Sequence, residues 1–277
     1  MERPMIKIGS LFAGIGGFEL GLERAIPKAK TIWQVEQNPF CQKVLAKHWP
    51  DAKIYNDVRN ITKDTVEPVD ILCGGFPCQD ISLAGKGEGL HGKKSGLWWE
   101  MLRIISELRP PIIVLENVAA LLVRGGCEVV GSLAEIGYCT EWTIISARDF
   151  GAPHVRKRWF AVAYPNSLRC RQARNGGISQ TCRERSEIQR RRSQISADSD
   201  SNRKSSLQDN EETLERIPRQ LQGFWRQKPT QSPLCRVDDG IRDRLDRLRA
   251  LGNAIVPQCS EWVGHQIVRS GLLGEFL

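Results

Sequence analysis

Ile71-Leu-Cys-Gly-Gly-Phe-Pro-Cys-Gln-Asp80 is the stretch whose reading decides the fold. Val69 to Cys73 is short and mostly apolar, which suits a buried strand of a parallel sheet. Gly74-Gly75 ends that strand, and Pro77 fixes the backbone just before Cys78. Cys78 is therefore predicted at the C-terminal tip of a strand, where open α/β sheets place their chemistry. The following residues to Ser95 carry Gly85, Gly87, Gly89 and Gly92 and show neither helical nor strand period. A segment of that length and composition reads as an active-site lid. A free cysteine is by itself more often an inert core residue. The strand-end Pro-Cys-Gln setting, followed by a Gly-rich segment, instead favours a reactive thiol.

Upstream, Ile6 to Phe12 reads as the first strand, Phe12-Ala-Gly-Ile-Gly-Gly17 as a turn, and Phe18 to Ala25 as a helix. Strand, glycine turn and helix together make a nucleotide-type cofactor loop, because glycine lets backbone approach a ligand closely. Gly14 and Gly16 fit the dinucleotide pattern, but its third glycine position holds Glu19. A second strand, Thr31 to Val35, ends in Glu36. Its distance from Gly14 is close to the ~20 residues at which an acidic side chain accepts bonds from ribose hydroxyls. Asn38 is placed to cap a helix running to about Lys47. Ile54-Tyr55 is a short strand, and Asp57 after it suits a turn.

Downstream, Leu97 to Leu108 has Leu97, Met101, Leu102, Ile105 and Leu108 on one helical face, and Pro110-Pro111 stops it. Ile112 to Leu115 is a second buried strand, ending in Glu116-Asn-Val118. A carboxylate at one strand tip beside Cys78 at another is how groups distant in sequence meet in such a sheet. Val129 to Ile136 reads as an amphipathic helix, and Tyr138 to Ala147 and Trp159 to Ala163 as strands, separated by Asp149-Phe-Gly-Ala-Pro-His-Val-Arg-Lys-Arg158. From Asn166 to Arg216 the chain is polar and rich in Arg and Ser, including Arg190, Arg191 and Arg192, and cannot build a core. Leu221 to Trp225 regains packing residues. Near the end, Asn253 in Gly-Asn-Ala-Ile-Val-Pro257 is expected to N-cap a helix reaching about Arg269.

The chain has 277 residues, 40% hydrophobic, enough for one large α/β domain and a smaller module. No apolar run approaches the ~18 residues of a membrane span. The first residues lack a signal-peptide pattern, so a reducing cytoplasm is the expected location. Nine cysteines at irregular spacing, with no C-x-x-C pair, argue against a zinc site or a disulfide framework. A net charge of +8 favours a polyanionic partner.

Six ordered motifs resemble those of the DNA cytosine-5 methyltransferases, over about residues 5 to 164 and 245 to 268. They are Phe-x-Gly-x-Gly-Gly at Phe12 to Gly17, Glu36, Asp57, Pro-Cys-Gln at Pro77 to Gln79, Glu-Asn-Val at Glu116 to Val118, and the paired arginines Arg156 and Arg158. Gly-Asn-Ala-Ile-Val-Pro at Gly252 to Pro257 follows as a further match. Where the family has Gln-x-Arg-x-Arg, this chain has His154 in place of the glutamine. His154 either replaces its hydrogen bonding or is a surface residue.

The resemblance implies a doubly wound, mostly parallel sheet over residues 1–165. A small target-recognition region follows at 166–245, and a C-terminal helix at 246–277 returns to the sheet. It implies methyl transfer from S-adenosylmethionine to carbon 5 of a flipped-out cytosine in duplex DNA. Cys78 would be the nucleophile and Glu116 the partner of ring nitrogen 3. Arg158 would hold the base carbonyl, and Arg156 would hold Glu116 or a phosphate. Phe12, Gly14, Gly16, Gly17, Glu36, Asp57, Pro77, Leu97, Asn253 and Val256 would bind the cofactor, with Glu36 on the ribose and Asp57 on the adenine amino group. Arg190 to Arg192 would contact DNA. The same resemblance implies a bacterial or phage-encoded, nucleoid-associated monomer with no metal, and allows a cognate restriction endonuclease. A tRNA cytosine-5 methyltransferase of the same fold and a non-catalytic DNA-binding relative are the alternatives. The intact Cys78, Glu116, Arg156 and Arg158 speak against the second.

Overall fold

The computed structural model describes residues 4–77, 96–167 and 244–275. Cys78, the glycine-rich segment after it, Arg190 to Arg192 and Leu221 to Trp225 lie outside the described residues. Apart from Asn166 and Ser167, the described residues form one compact unit that the chain leaves after Pro165.

The strands are β1 (Ile6–Leu11), β2 (Ala29–Val35), β3 (Lys53–Tyr55), β4 (Ile71–Gly74), β5 (Ile112–Val118), β6 (Tyr138–Ser146) and β7 (Lys157–Pro165). The helices longer than about one turn are α1 (Gly17–Ala25), α2 (Pro39–His48), α3 (Gly96–Leu108), α4 (Gly126–Glu135), α5 (Arg244–Asn253) and α6 (Pro257–Arg269). The strands make one sheet in the order β3-β2-β1-β4-β5-β7-β6. β3, β2, β1, β4 and β5 are parallel, and β7 runs antiparallel to both β5 and β6. The chain moves outward from β1 through β2 to β3 and then starts again at β4 on the other side. That reversal between β1 and β4 is the switch point at which such sheets bind ligands.

Alternation along the strands gives the sheet two buried faces. Leu11, Trp33, Val35, Leu72, Ile113 and Leu115 join Trp98, Met101, Ile104 and Ile105 of α3 in the larger core. The face of α3 that packs deepest is turned toward Trp98 and Ile104, and Leu97, Leu102 and Leu108 are only partly buried. Trp98 explains the rotation: its ring lies 5.0 Å from Phe76, and its Nε1 donates to Ser132 Oγ at 3.2 Å. The other face is more polar. Gln34, Ser10 and Cys73 are register partners on β2, β1 and β4. Glu19 of α1, fully buried, receives a bond from Gln34 Nε2 at 3.2 Å.

Several expected boundaries move by a residue or two. Gly74 belongs to β4, and β5 runs through Glu116-Asn-Val118 because its antiparallel pairing with β7 continues to Val118. Asn38 caps α2 as expected, accepting from Phe40 N at 2.8 Å and Cys41 N at 3.3 Å. The last helix is a correction. Asn253 is the final residue of α5 and caps nothing at an N-terminus; the next helix starts at Pro257 with Val256 as its N-cap. Pro257 lacks an N–H and would clash with a preceding turn, so one continuous helix is barred, while its fixed φ suits a first helical position.

α6 packs on α1 at close range, as Gly21 and Gly264 show. A Cβ on Gly21 would collide with Ser260, and one on Gly264 would lie 2.6 Å from Ala25 Cβ. Ser260 Oγ donates to Gly17 O at 3.1 Å, so the C-terminal segment is tied to the turn after β1. No helix among the described residues is long and apolar enough to cross a membrane.

Candidate active site

The parallel register aligns the C-terminal ends of five strands. Tyr55, Val35, Leu11, Gly74 and Leu115 are successive partners across β3, β2, β1, β4 and β5. The next residue on each strand forms the rim: Asn56, Glu36, Phe12, Gly75 and Glu116. A cleft of about 440 Å³ opens along it. That size is ordinary for a small-molecule site.

On the β1 side the chain turns sharply. Phe12 has φ 57°, an uncommon value for a residue with a side chain. Gly14 N–H donates to Glu36 Oε2 at 2.7 Å, and Glu36 Oε1 accepts from Asn38 N at 2.8 Å. Glu36 thus braces the glycine turn against the start of α2 and lines the cleft with the lone pairs it has left. Asp57 also lines it, accepting from Arg59 N at 2.9 Å as the cap of a short turn. Pro77, Leu97 and Asn253 are at the same cleft.

Gly16, Gly17 and Val256 are not among the lining residues. Both glycines are also closely packed. Gly16 has φ 85°, and a Cβ there would enter the Trp49 ring. A Cβ on Gly17 would collide with the Ile255 carbonyl.

On the β5 side, Glu116 is 9% exposed and its Oε1 lies 3.0 Å from Arg158 Nε. The antiparallel β5–β7 register makes this pair: Arg158 faces Val118, one diagonal step from Glu116. Burial pushes the Glu116 carboxyl up to about 7, against the pull of Arg158 and then Arg156. The desolvation cost outweighs the single close cation, so Glu116 holds a proton far more readily than an exposed glutamate. Gly75 on the neighbouring strand end leaves room for it, since a Cβ there would lie 2.9 Å from Glu116 Oε2.

The two arginines go to different partners. Arg158, expected on a base carbonyl, holds Glu116. Arg156, expected on Glu116 or a phosphate, donates from Nη1 to Gly252 O at 2.9 Å and from Nη2 to Ala254 O at 2.8 Å. His154 is exposed.

Asn117 was not singled out from the sequence. It is buried, and its Nδ2 donates to Phe76 O at 3.2 Å, tying the end of β5 to the peptide that leads into Pro77 and Cys78. The signal was available: an amide inside an apolar strand needs a partner. Arg249 and Ala250 of α5 line the cleft as well, and only the fold brings them there.

A mostly parallel sheet with its glycine turn, acidic second strand end and buried carboxyl on one carboxyl-end rim defines an α/β protein with a Rossmann-like fold. The description C-5 cytosine-specific DNA methylase matches residues 6–234, and the chain belongs to that family. It is 41% identical over 155 residues to the type II methyltransferase M.CviJI of Paramecium bursaria Chlorella virus IL3A, covering 55% of this chain and 41% of that relative. It is 37% identical over 166 residues to the type II methyltransferase M2.BsuMI of Bacillus subtilis, covering 57% and 42%. The chain spans about half the length of the curated relatives it matches. Among solved structures, Entamoeba histolytica methyltransferase EhMeth shares the fold with a TM-score of 0.52 at 22% identity, covering 58% of this chain and 53% of that one. A mutant of Spodoptera frugiperda DNMT2 does so at 0.51 and 21%, covering 59% and 51%.

Proposed function

We propose that the chain transfers a methyl group from S-adenosylmethionine to carbon 5 of a cytosine in duplex DNA, through a transient bond from Cys78 to carbon 6. The observation that carries this reading is Glu116: a carboxyl with a pKa of about 7, next to Gly75 on the strand end that leads through Phe76 and Pro77 to Cys78. Family membership supports the reaction class.

The cleft suits the cofactor. Glu36 offers a carboxylate to ribose hydroxyls, Asp57 offers one to an adenine amino group, and Phe12, Val35 and Leu97 offer apolar walls. Bound S-adenosylmethionine supplies an electrophilic sulfonium methyl group. Cytosine carbon 5 is a poor nucleophile until the ring loses aromaticity. The Cys78 thiolate adds to carbon 6 while Glu116 gives its proton to ring nitrogen 3, which leaves an enamine whose carbon 5 attacks the methyl carbon as the methyl–sulfur bond breaks to leave S-adenosylhomocysteine. A general base then takes the carbon 5 proton, the carbon 6–sulfur bond breaks to return the Cys78 thiolate, and the nitrogen 3 proton returns to Glu116. Arg158 keeps Glu116 aimed and has donors beyond the two engaged, so it can also meet the base carbonyl. Carbon 6 is unreachable within a duplex, so the base is flipped into the cleft.

Residues 166–245 are proposed to grip and read the DNA, with Arg190 to Arg192 on phosphates. The net charge of +8 favours that partner. The chain is proposed to act as a monomer. The test is bisulfite sequencing of DNA from cells expressing the chain or its Cys78→Ser variant. Protected cytosines at one recurring sequence, lost in the variant, are expected. Protection absent from DNA but present in tRNA would replace this reading with the tRNA enzyme.

A further inference from the structure

We propose that Arg156 is a positioning residue that holds the corner between α5 and α6 in place as one wall of the cofactor cleft. The proposal rests on the cofactor reading above and assigns Arg156 a task other than contact with base, phosphate or Glu116.

The geometry is a fork. Arg156 sends one N–H to each of two carbonyls, Gly252 O at 2.9 Å and Ala254 O at 2.8 Å, and these flank Asn253. Both lie at the C-terminal end of α5, where carbonyls lack helical partners and the helix dipole presents its negative end. A guanidinium answers both needs at once. Asn253 and Ala254 line the cleft, as does Arg156 itself. The residue's backbone is bent to this end, with φ 26° in a side-chain-bearing residue at the entry to β7.

The corner is gripped from its far side as well. The Ile255 carbonyl abuts Gly17 so closely that a Cβ could not fit, and Ser260 Oγ donates to Gly17 O at 3.1 Å. One short stretch, Gly252 to Ser260, is therefore pinned to the glycine turn on one side and to the strand carrying Arg158 on the other. Through it the cofactor side of the cleft is mechanically joined to the side that holds Glu116. Arg158 alone pairs with Glu116 among the described residues, which leaves Arg156 to this task. Lysine is no substitute, because one ammonium on a flexible stem cannot span both carbonyls with fixed geometry.

The experiment measures S-adenosylhomocysteine affinity by calorimetry on the whole chain without DNA, for the wild type, Arg156→Lys, Arg156→Ala, Asn253→Ala and the Arg156→Lys/Asn253→Ala double variant. Steady-state methylation is followed in parallel. Loss of the two charge-assisted bonds is expected to weaken binding about tenfold or more in both Arg156 variants. The KM for S-adenosylmethionine should rise alike, with kcat of Arg156→Lys within about threefold of wild type. The double variant should lose less than the product of its parents, since Arg156 acts through Asn253. If Arg156→Ala does not fold, Arg156→Lys decides. Wild-type affinity in Arg156→Lys overturns the proposal. So does a fall in kcat at saturating cofactor with affinity retained, which would put Arg156 on the base or a phosphate. Strictly additive losses overturn the route through Asn253. A wild-type chain that binds no S-adenosylhomocysteine refutes the cofactor reading itself, a result no Arg156 variant can mimic.

Discussion

Replacing Glu19 by Gln should stabilise the protein at alkaline pH and do little at acid pH. Glu19 sits in the first turn of α1, where a carboxylate ordinarily gains from the helix dipole. Here it is fully buried over the row Gln34, Ser10 and Cys73. Burial pushes its pKa from 4.5 up to about 7. The Ser10 hydroxyl and then the Gln34 amide pull the other way, but Ser10 Oγ and Glu19 Oε2 each lack a hydrogen-bond partner of good geometry, so desolvation wins. The folded state therefore binds the proton more tightly than the unfolded chain. Its stabilising effect is complete below about 4.5 and is lost as pH rises to about 7, beyond which the penalty is constant. The full loss is about 3 kcal/mol, of which about 2 kcal/mol falls between pH 5 and 8. The Glu19→Gln side chain would keep a neutral donor and acceptor and carry no proton linkage. Urea unfolding of both forms at several pH values reads the difference directly. The stability gap should widen by about 2 kcal/mol from pH 5 to pH 8, or roughly 5 °C in Tm for a chain this long. A gap that stays level within about 0.5 kcal/mol over that range would mean the Glu19 carboxyl is not desolvated as its burial implies.

The methyl-transfer rate should fall as pH rises through about 7, because Glu116 must hold a proton to give one, and Glu116→Gln should flatten that limb while lowering kcat at least ~100-fold. An unchanged pH profile in the variant would remove Glu116 from the proton transfer. Duplex DNA carrying 5-fluorocytosine at the target should form a gel-stable complex with the wild type and none with Cys78→Ser, since fluorine cannot leave as a proton does; a complex with the variant would assign the nucleophile elsewhere. Glu36→Ala should weaken S-adenosylhomocysteine binding about tenfold in calorimetry, through the lost ribose contacts and the unbraced Gly14 turn, and unchanged affinity would take Glu36 out of the site. Changing Arg190, Arg191 and Arg192 together to Ala should weaken DNA binding and make its salt dependence shallower without moving the methylated sequence, whereas an altered sequence would show that these arginines read bases.

The sheet was legible because its strands are short apolar runs and its turns carry glycine and proline, patterns that depend only on neighbours in the chain. For the same reason Glu36 and Glu116 could be picked out: each is an acidic residue that ends an apolar run, and parallel pairing must bring such ends to one rim. What Glu116 does there was not legible. Its proton affinity follows from burial and from Arg158, and that arginine arrives only because β7 inserts antiparallel beside β5. Two arginines matched the motif equally well, and only register put Arg158 on the carboxyl and left Arg156 to α5. At Gly16 and Gly17 the space a side chain would take is filled by Trp49 and Ile255, side chain and backbone from distant sequence, a packing demand that local sequence does not show. The burial of Glu19 was not legible, because local sequence does not say which face of α1 meets the sheet. Local pattern determines which elements form and where their ends lie. Burial, ionisation and the partner of each polar group depend on contacts between residues far apart in the chain, and those exist only once the sheet has been assembled.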